Sequence, residues 1–225
     1  MKAGIWKGNN LMKYGESSFD ILYLLLAIIC GIIMLIRARD GAGKKMGMAT
    51  LILGSGDAFH LVPRVILFRK RSHNNAGHRQ TCYVRYYDSF LRNYVLYIWQ
   101  DLNSKRAYKK LTAAVWVLFG LRIILCLFPQ NGWLQNESPL SWAIIRNIPF
   151  TALGIIIVAL FYNIRDREKC LRFVWLYVTL SFLFYIPVAV GAGLVPILGM
   201  LMLPKTICYI LLIISFFRYV AKKSA

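Results

Sequence analysis

The chain has 225 residues, enough for one compact domain. Hydrophobic residues make up 58% of it and the mean hydropathy is +0.53, which argues against an ordinary soluble domain, where about half of the residues are apolar. The formal net charge of +19 would point to nucleic acid in a soluble protein, but these charges lie mostly between long apolar runs, so we expect no nucleic-acid partner and predict cytoplasmic loops that face anionic lipid.

Seven apolar segments predict membrane-spanning helices, because a spanning helix needs about 20 mostly apolar residues. They cover residues 21–37, 46–68, 82–98, 111–128, 142–162, 171–190 and 195–217. The connections between them are short, which favours an antiparallel bundle. The sequence therefore predicts an all-α polytopic transmembrane bundle, a single integral membrane domain over residues 1–225.

The first apolar run predicts a retained helix rather than a signal peptide. Glu16 and Asp20 precede it, and Arg37 and Arg39 follow it where a small-residue cleavage site would be needed. Further predicted spans come after it. The run therefore predicts the first transmembrane helix of a multi-pass protein.

The distribution of Lys and Arg predicts the orientation of the bundle. Basic residues collect in 37–45, 101–110 and 163–169 and in the tail after residue 217, whereas 129–141 and 191–194 contain none. A topology of seven spans, with the N-terminus outside and the C-terminus in the cytoplasm, places all of these basic segments inside and both segments without Lys or Arg outside. The expected location is the plasma membrane, with the lipid bilayer as the main partner.

The segment 69–97 departs from this pattern. Its loop is basic although it should lie outside, and the predicted span 82–98 carries Arg85, Asp88 and Arg92, each costly at membrane depth. A six-span alternative that leaves 69–98 in the cytoplasm would place both ends of the helix 46–68 on the same side. A reading frame displaced by one base over 78–97 instead permits an apolar, threonine-containing helix, since shifted tyrosine codons give Ile, Met or Thr.

We therefore expect the source DNA across codons 69 to 98 to show two compensating single-base insertions or deletions. Such a pair would restore an apolar third helix and remove its three charged residues. Nucleotide sequencing of this stretch tests the hypothesis directly, and a sequence without these changes would overturn it.

The second predicted helix carries the first candidate site residues. Asp57 lies near its middle, and His60 and Arg64 follow at i+3 and i+7, so all three share one face. Pro63 frees a backbone carbonyl and can kink the helix. Charged residues at membrane depth are costly and often functional, although an internal Asp–Arg pair that only locks helices together is an equal alternative.

Further cations lie at middle or outer depth in later helices: Arg122, Arg146 next to Asn147, and Lys205 after Pro204. Arg146 is explained by snorkelling to the interface. Asp57 is the one acid that we expect at this depth in the clear spans. The pattern predicts an outward-open polar pocket with excess positive charge, suited to a carboxylate or a lipid phosphate.

We therefore predict binding or transport of a small anionic solute or lipid head group. The substrate-binding residues would be Asp57, His60, Arg64, Arg122 and Lys205, with the cations holding the anion and Asp57 and His60 balancing charge or relaying a proton. The alternatives are an intramembrane enzyme acting on lipid, with Asp57 and His60 as acid–base pair, and a sensor or structural protein. An enzyme is less expected than a binding protein.

No cofactor or metal site is expected. The five cysteines include no C-x-x-C pair and three of them lie in apolar runs, which is typical of small buried hydrophobes. The three histidines lack the spacing of metal ligands on a helix. Ligation of zinc by three histidines, as in ceramidase-like membrane hydrolases, is not available because His60 alone lies at membrane depth.

Several motifs resemble a family of bacterial seven-helix membrane proteins without an established activity. They are Gly-Asp-Ala-Phe-His-Leu-Val-Pro-Arg at 56–64, Phe-Pro-Gln-Asn at 128–131, Arg-Asn-Ile-Pro-Phe at 146–150 and Gly-Met-Leu-Met-Leu-Pro-Lys at 199–205. The resemblance implies a threonine-rich apolar third helix in place of 82–98. A weaker similarity to microbial rhodopsins rests on Lys205 and on Arg-Tyr-Tyr-Asp at 85–88, and one to lysoplasmalogenases on the Gly-Asp pair alone.

Overall fold

The computed structural model of the chain describes residues 2–67, 105–128, 140–191 and 196–224, and every regular element in these ranges is helical. Six α-helices occur there: α1 Lys2–Arg37, α2 Gly41–Leu67, α3 Lys105–Leu127, α4 Leu140–Ile164, α5 Val174–Gly191 and α6 Met202–Ser224. Short 3₁₀ helices, Lys169–Leu171 and Pro196–Leu201, precede α5 and α6. The predicted helix 82–98 lies outside the described residues.

Four helical segments in the described ranges are long and apolar enough to cross a bilayer: Ser18–Arg37, Asn147–Ile164, Lys169–Ala189 and Met202–Ser224. The apolar part of α3, Leu111–Leu125, is shorter. The helix α2, which covers the predicted span 46–68, carries Asp57, His60 and Arg64 in its C-terminal half. For the described residues, the structure confirms the prediction of an all-helical fold with helices able to span a membrane, and four such segments are present.

Four of the five pairs of consecutive described helices pack side by side, α2 and α3 being the exception. The helix α1 packs against α2 and α6, and the series continues from α6 to α5, from α5 to α4 and from α4 to α3. The α1–α2 interface is close because small residues face it: a Cβ atom on Gly31 would lie 2.7 Å from Leu51 Cγ, and one on Gly54 would lie 3.0 Å from Ala27 Cβ. Small residues let helix backbones approach in this way in membranes.

One end of the bundle is fastened by Asp40. Its Oδ1 accepts a hydrogen bond of 3.2 Å from the backbone N–H of Gly43, an N-cap interaction, so α2 begins at Gly41 and the connection predicted at 37–45 shrinks to three residues. The hydroxyl of Tyr219 on α6 donates to Asp40 Oδ2 at 3.1 Å, and Ser224 Oγ donates to the carbonyl of Arg37 at 2.8 Å. The C-terminal end of α6 therefore lies against the α1–α2 turn.

The turn between α4 and α5 reaches the same end of the bundle. Lys222 and Lys223 of α6 lie 3.7 Å and 3.5 Å from the carboxylate oxygens of Glu168. Exposed ion pairs of this kind contribute little stability, but they locate the turn. The α1–α2 turn, the α4–α5 turn and the end of α6 thus form one end, here called the latched end.

Gly154 on α4 is required by its neighbour Phe182 on α5. A Cβ atom at this position would lie 2.7 Å from Phe182 Cε1 and Cε2 and closer still to Cζ. The ring cannot easily move away because its centroid lies 4.9 Å from that of Phe150. The packing of α4 against α5 therefore requires a residue without a side chain at position 154.

We expect Gly154→Ala to lower the free energy of unfolding by about 1–3 kcal/mol, because overpacking forces side-chain and backbone shifts. Gly120→Ala on α3 is the control, since a Cβ atom there meets nothing within 4 Å and gains up to about 1 kcal/mol of helix propensity. Thermal unfolding in detergent compares the two. Phe182→Leu added to Gly154→Ala should recover part of the loss, and equal midpoints for Gly154→Ala and Gly120→Ala would contradict the packing argument.

Candidate functional site

The carboxylate of Asp57 is buried between α1 and α2. Asp57 is 7% exposed and Tyr23 on α1 is 1% exposed. The Tyr23 hydroxyl donates a 2.6 Å hydrogen bond to Asp57 Oδ2. Short hydrogen bonds of this kind, with an ionised acceptor, are stronger than neutral ones. The bond fixes the direction in which the carboxylate faces.

Lys205 brings a buried cation to this carboxylate from α6. It is 5% exposed and interacts electrostatically with Asp57. Its Nζ also lies 4.8 Å from the ring centroid of Tyr185 on α5 and 5.2 Å from that of Tyr209 on α6. Aromatic faces attract ammonium groups, most strongly where water is excluded. Lys205 therefore lies beside rings of α5 and α6 and is attracted by the charge of Asp57 on α2.

Arg122 supplies a second buried cation from α3. It is 3% exposed, and its guanidinium carbon lies 3.9 Å from the ring centroid of Phe150 on α4. The Phe150 ring in turn lies 5.4 Å from the ring of Tyr185, edge to face. Two aromatic rings thus connect Arg122 with Lys205. We call the set Tyr23, Asp57, Arg122, Phe150, Tyr185 and Lys205 the polar–aromatic cluster.

All six described helices contribute to the polar–aromatic cluster, and they do so in one half of the bundle. Tyr23 lies near the start of the spanning part of α1, Arg122 near the end of α3 and Lys205 in the first turn of α6. The latched end lies at the opposite ends of the same helices. The cluster therefore occupies the half of the bundle away from Asp40.

Of the five residues predicted for the site, three have described side chains, and all three are buried. The charge of Asp57 acts on Lys205, and Phe150 and Tyr185 lie between Lys205 and Arg122. The backbones of His60 and Arg64 belong to α2, but their side chains lie outside the described residues, as does that of Arg146.

Asp20 adds an acidic side chain that the sequence analysis placed before the first span. It is 7% exposed and falls within the spanning segment Ser18–Arg37, three residues before Tyr23 and on the same face. The helix α1 continues without a break through residue 20. Asp20 therefore belongs to the helix rather than to a loop before it, and its side chain is buried. The described buried side chains comprise two acids, Asp20 and Asp57, and two bases, Arg122 and Lys205, so among them the expected excess of positive charge does not appear.

The sequence analysis also missed the aromatic partners. The hydroxyl groups of Tyr23 and Tyr185 each donate a hydrogen bond. Both residues lie in apolar runs, where a tyrosine is compatible with an ordinary buried or interfacial position. The Tyr185 hydroxyl donates to Asn147 Oδ1 at 3.3 Å. The partners of these two tyrosines lie on other helices, so no spacing within one helix indicated them.

Comparisons of the chain with protein families, with curated proteins and with solved structures find no match. Among the residues that the structure describes, no group of three or more His, Cys, Asp or Glu side chains could hold a metal ion. The chemistry of the site therefore has to be argued from the polar–aromatic cluster itself.

We expect Tyr23→Phe to destabilise the protein by about 1.5–3 kcal/mol, because the buried carboxylate of Asp57 loses a charge-assisted hydrogen bond. Tyr219→Phe is the matched control. It removes the same atom from a bond to the half-buried Asp40, and we expect a loss nearer about 0.5–1.5 kcal/mol. Equilibrium unfolding in mixed micelles measures the free energy of unfolding of both variants. Equal losses would show that the Tyr23–Asp57 bond contributes no more stability than the Tyr219–Asp40 bond.

Proposed function

We propose that the protein is a seven-span plasma-membrane protein, N-terminus outside and C-terminus in the cytoplasm, that binds or transports a small anionic solute or lipid head group. The observation that carries the proposal is the position of Lys205: a buried cation beside two aromatic rings, within the electrostatic reach of Asp57. The motif at 56–64, which resembles bacterial multi-pass proteins, contains Asp57.

The arrangement of helix ends supports a seventh span. The helix α2 starts at the latched end and so ends, at Leu67, on the far side. The helix α3 packs against α4, which finishes at the latched end; antiparallel packing then starts α3, at Lys105, at the latched end. These positions of Leu67 and Lys105 agree with a span predicted at 82–98. The basic segments after α1 and α4 and at the C-terminus share the latched end, in agreement with the positive-inside rule.

The cations of the cluster provide the chemistry of anion binding. Lys205 and Arg122 are buried at low dielectric, where a charge needs a compensating partner. At rest Asp57 is such a partner for Lys205. A carboxylate or phosphate that approaches Lys205 can replace Asp57 as this partner. Arg64, on the same face of α2 as Asp57, is the third cation proposed for the anion.

Proton uptake by Asp57 would keep such binding electrically neutral. A neutral Asp57 no longer compensates Lys205, so the site gains one positive charge for the incoming anion. Tyr23 can donate to the carboxyl group in either protonation state, and His60, one turn along α2, is positioned by sequence to relay the proton. An anion and a proton would then enter together, which is the pattern of a proton-coupled carrier.

We expect the anion affinity of the wild type to rise as the pH falls, because protonation of Asp57 uncovers Lys205. Asp57→Asn should bind tightly at every pH. Adding Lys205→Met to Asp57→Asn should weaken binding by about tenfold or more, or about 1.4 kcal/mol, without leaving an uncompensated charge. Binding of acetate, methyl phosphate and inorganic phosphate to protein in zwitterionic nanodiscs measures these effects.

Lys222→Met is the control for the loss of one lysine, since Lys222 lies 60% exposed at the latched end. A double variant that remains folded and binds every anion as the wild type does would overturn the proposal. That result would leave Asp57 and Lys205 as a pair that only locks helices together. Turnover of phospholipid by the wild type, abolished by Asp57→Asn, would instead favour the enzyme alternative.

A further inference from the structure

A groove runs between α4 and α5 in the half of the bundle that holds the polar–aromatic cluster. Its volume is about 410 Å³, within the range of small-molecule pockets. Its apolar lining consists of Ile144, Ile148, Ala152, Ile155, Ile186 and Ala189. Ile148 and Ile155 are 61% and 65% exposed, so the groove opens on the outer surface of the bundle, which in a membrane faces lipid.

The polar side chains of the groove are those of Asn147, Thr151 and Tyr185. The Thr151 hydroxyl donates to its own helix, to the carbonyl of Asn147 at 2.9 Å. The Tyr185 hydroxyl donates to Asn147 Oδ1 at 3.3 Å. Polar atoms are therefore concentrated at the Asn147 end, and the groove becomes apolar towards Ile155.

Tyr185 belongs to both the groove and the polar–aromatic cluster. Its hydroxyl meets Asn147 in the groove, while the face of its ring lies 4.8 Å from Lys205 Nζ. One side chain thus separates an apolar groove from a buried cation. A molecule with an apolar chain and an anionic head would find complementary surroundings for both parts.

The length of the groove fits one leaflet of a membrane. Residues 144 to 155 of α4 rise about 16 Å at 1.5 Å per residue, and half of the hydrocarbon core is about 15 Å. The Asn147 end lies towards the start of α4, away from the latched end, and Ile155 lies near the middle of the helix. A lipid chain in the groove would therefore have its head at the membrane surface and its tail at the midplane.

We infer that the anion bound by this protein is the head group of a lipid, whose acyl chain lies in the groove between α4 and α5. The carboxylate or phosphate would lie beside Asn147 and Tyr185, drawn there by Lys205. This inference rests on the proposed anion binding and narrows its ligand from any small anion to an amphiphile. Movement of the Tyr185 side chain would bring the head group into direct contact with Lys205.

Dodecyl phosphate and methyl phosphate test the inference because they share a head group and differ in the chain. We expect the wild type in zwitterionic nanodiscs to bind dodecyl phosphate at least about tenfold more tightly, after correction for partition into empty nanodiscs. Ala152→Trp fills the apolar part of the groove and should remove this preference for dodecyl phosphate. Ala159→Trp is the matched control, on the same face of α4 but beyond the groove and exposed.

The possible outcomes separate the two proposals. Equal binding of both phosphates that depends on Lys205 would overturn the lipid inference and leave anion binding in place. Dodecyl phosphate binding that Ala152→Trp leaves unchanged, and that adding Lys205→Met to Asp57→Asn also leaves unchanged, would overturn both proposals. If Ala152→Trp fails to fold, Ala189→Phe closes the groove from α5 and should give the same loss of chain preference.

Discussion

The buried carboxylate of Asp57, held by Tyr23 and facing Lys205, is the interaction on which the rest of the bundle depends. Its hydrogen bond from Tyr23 joins α1 to α2, and its charge attracts Lys205 on α6. A carboxylate and an ammonium group in this position are costly to bury unless each meets an opposite charge or a hydrogen bond. The three helices therefore have to pack in a register that brings these side chains together. The glycine-lined contact between α1 and α2 permits this register because it lets the backbones approach.

Much of the helical pattern could be predicted from hydropathy, because long apolar runs separated by short polar segments leave few alternatives to a bundle. The ends of the helices could not be predicted from hydropathy. The helix α2 begins at Gly41 because Asp40 caps it, and that depends on one side chain rather than on an average over a window. Asp20 was misplaced for the same reason, since a charged residue at the edge of an apolar run is equally compatible with a loop and with a buried helical position.

The candidate site could be predicted in part because charged residues in apolar helices are rare. Asp57, Arg122 and Lys205 stand out for this reason, and all three are buried. Tyr209 could be expected near Lys205 because it follows one helical turn later, but Phe150 and Tyr185 look like ordinary lipid-facing or core residues in the sequence. Which aromatic ring meets which cation follows from helix packing, so the link from Arg122 through Phe150 to Tyr185 exists only in three dimensions.

Two contacts of different character join α6 to the α1–α2 pair. At the latched end, Tyr219 donates a hydrogen bond to Asp40 at the half-buried turn; in the other half, Lys205 meets Asp57 through buried charge. The first contact is indifferent to an anion in the bundle interior, whereas the second changes when an anion replaces Asp57 as the partner of Lys205. Ligand binding would therefore loosen α6 in the cluster half while its latched end stays fixed. If the protein carries an anion as proposed, the fastened end and the charge-controlled end would provide the asymmetry that opening on one side of a membrane requires.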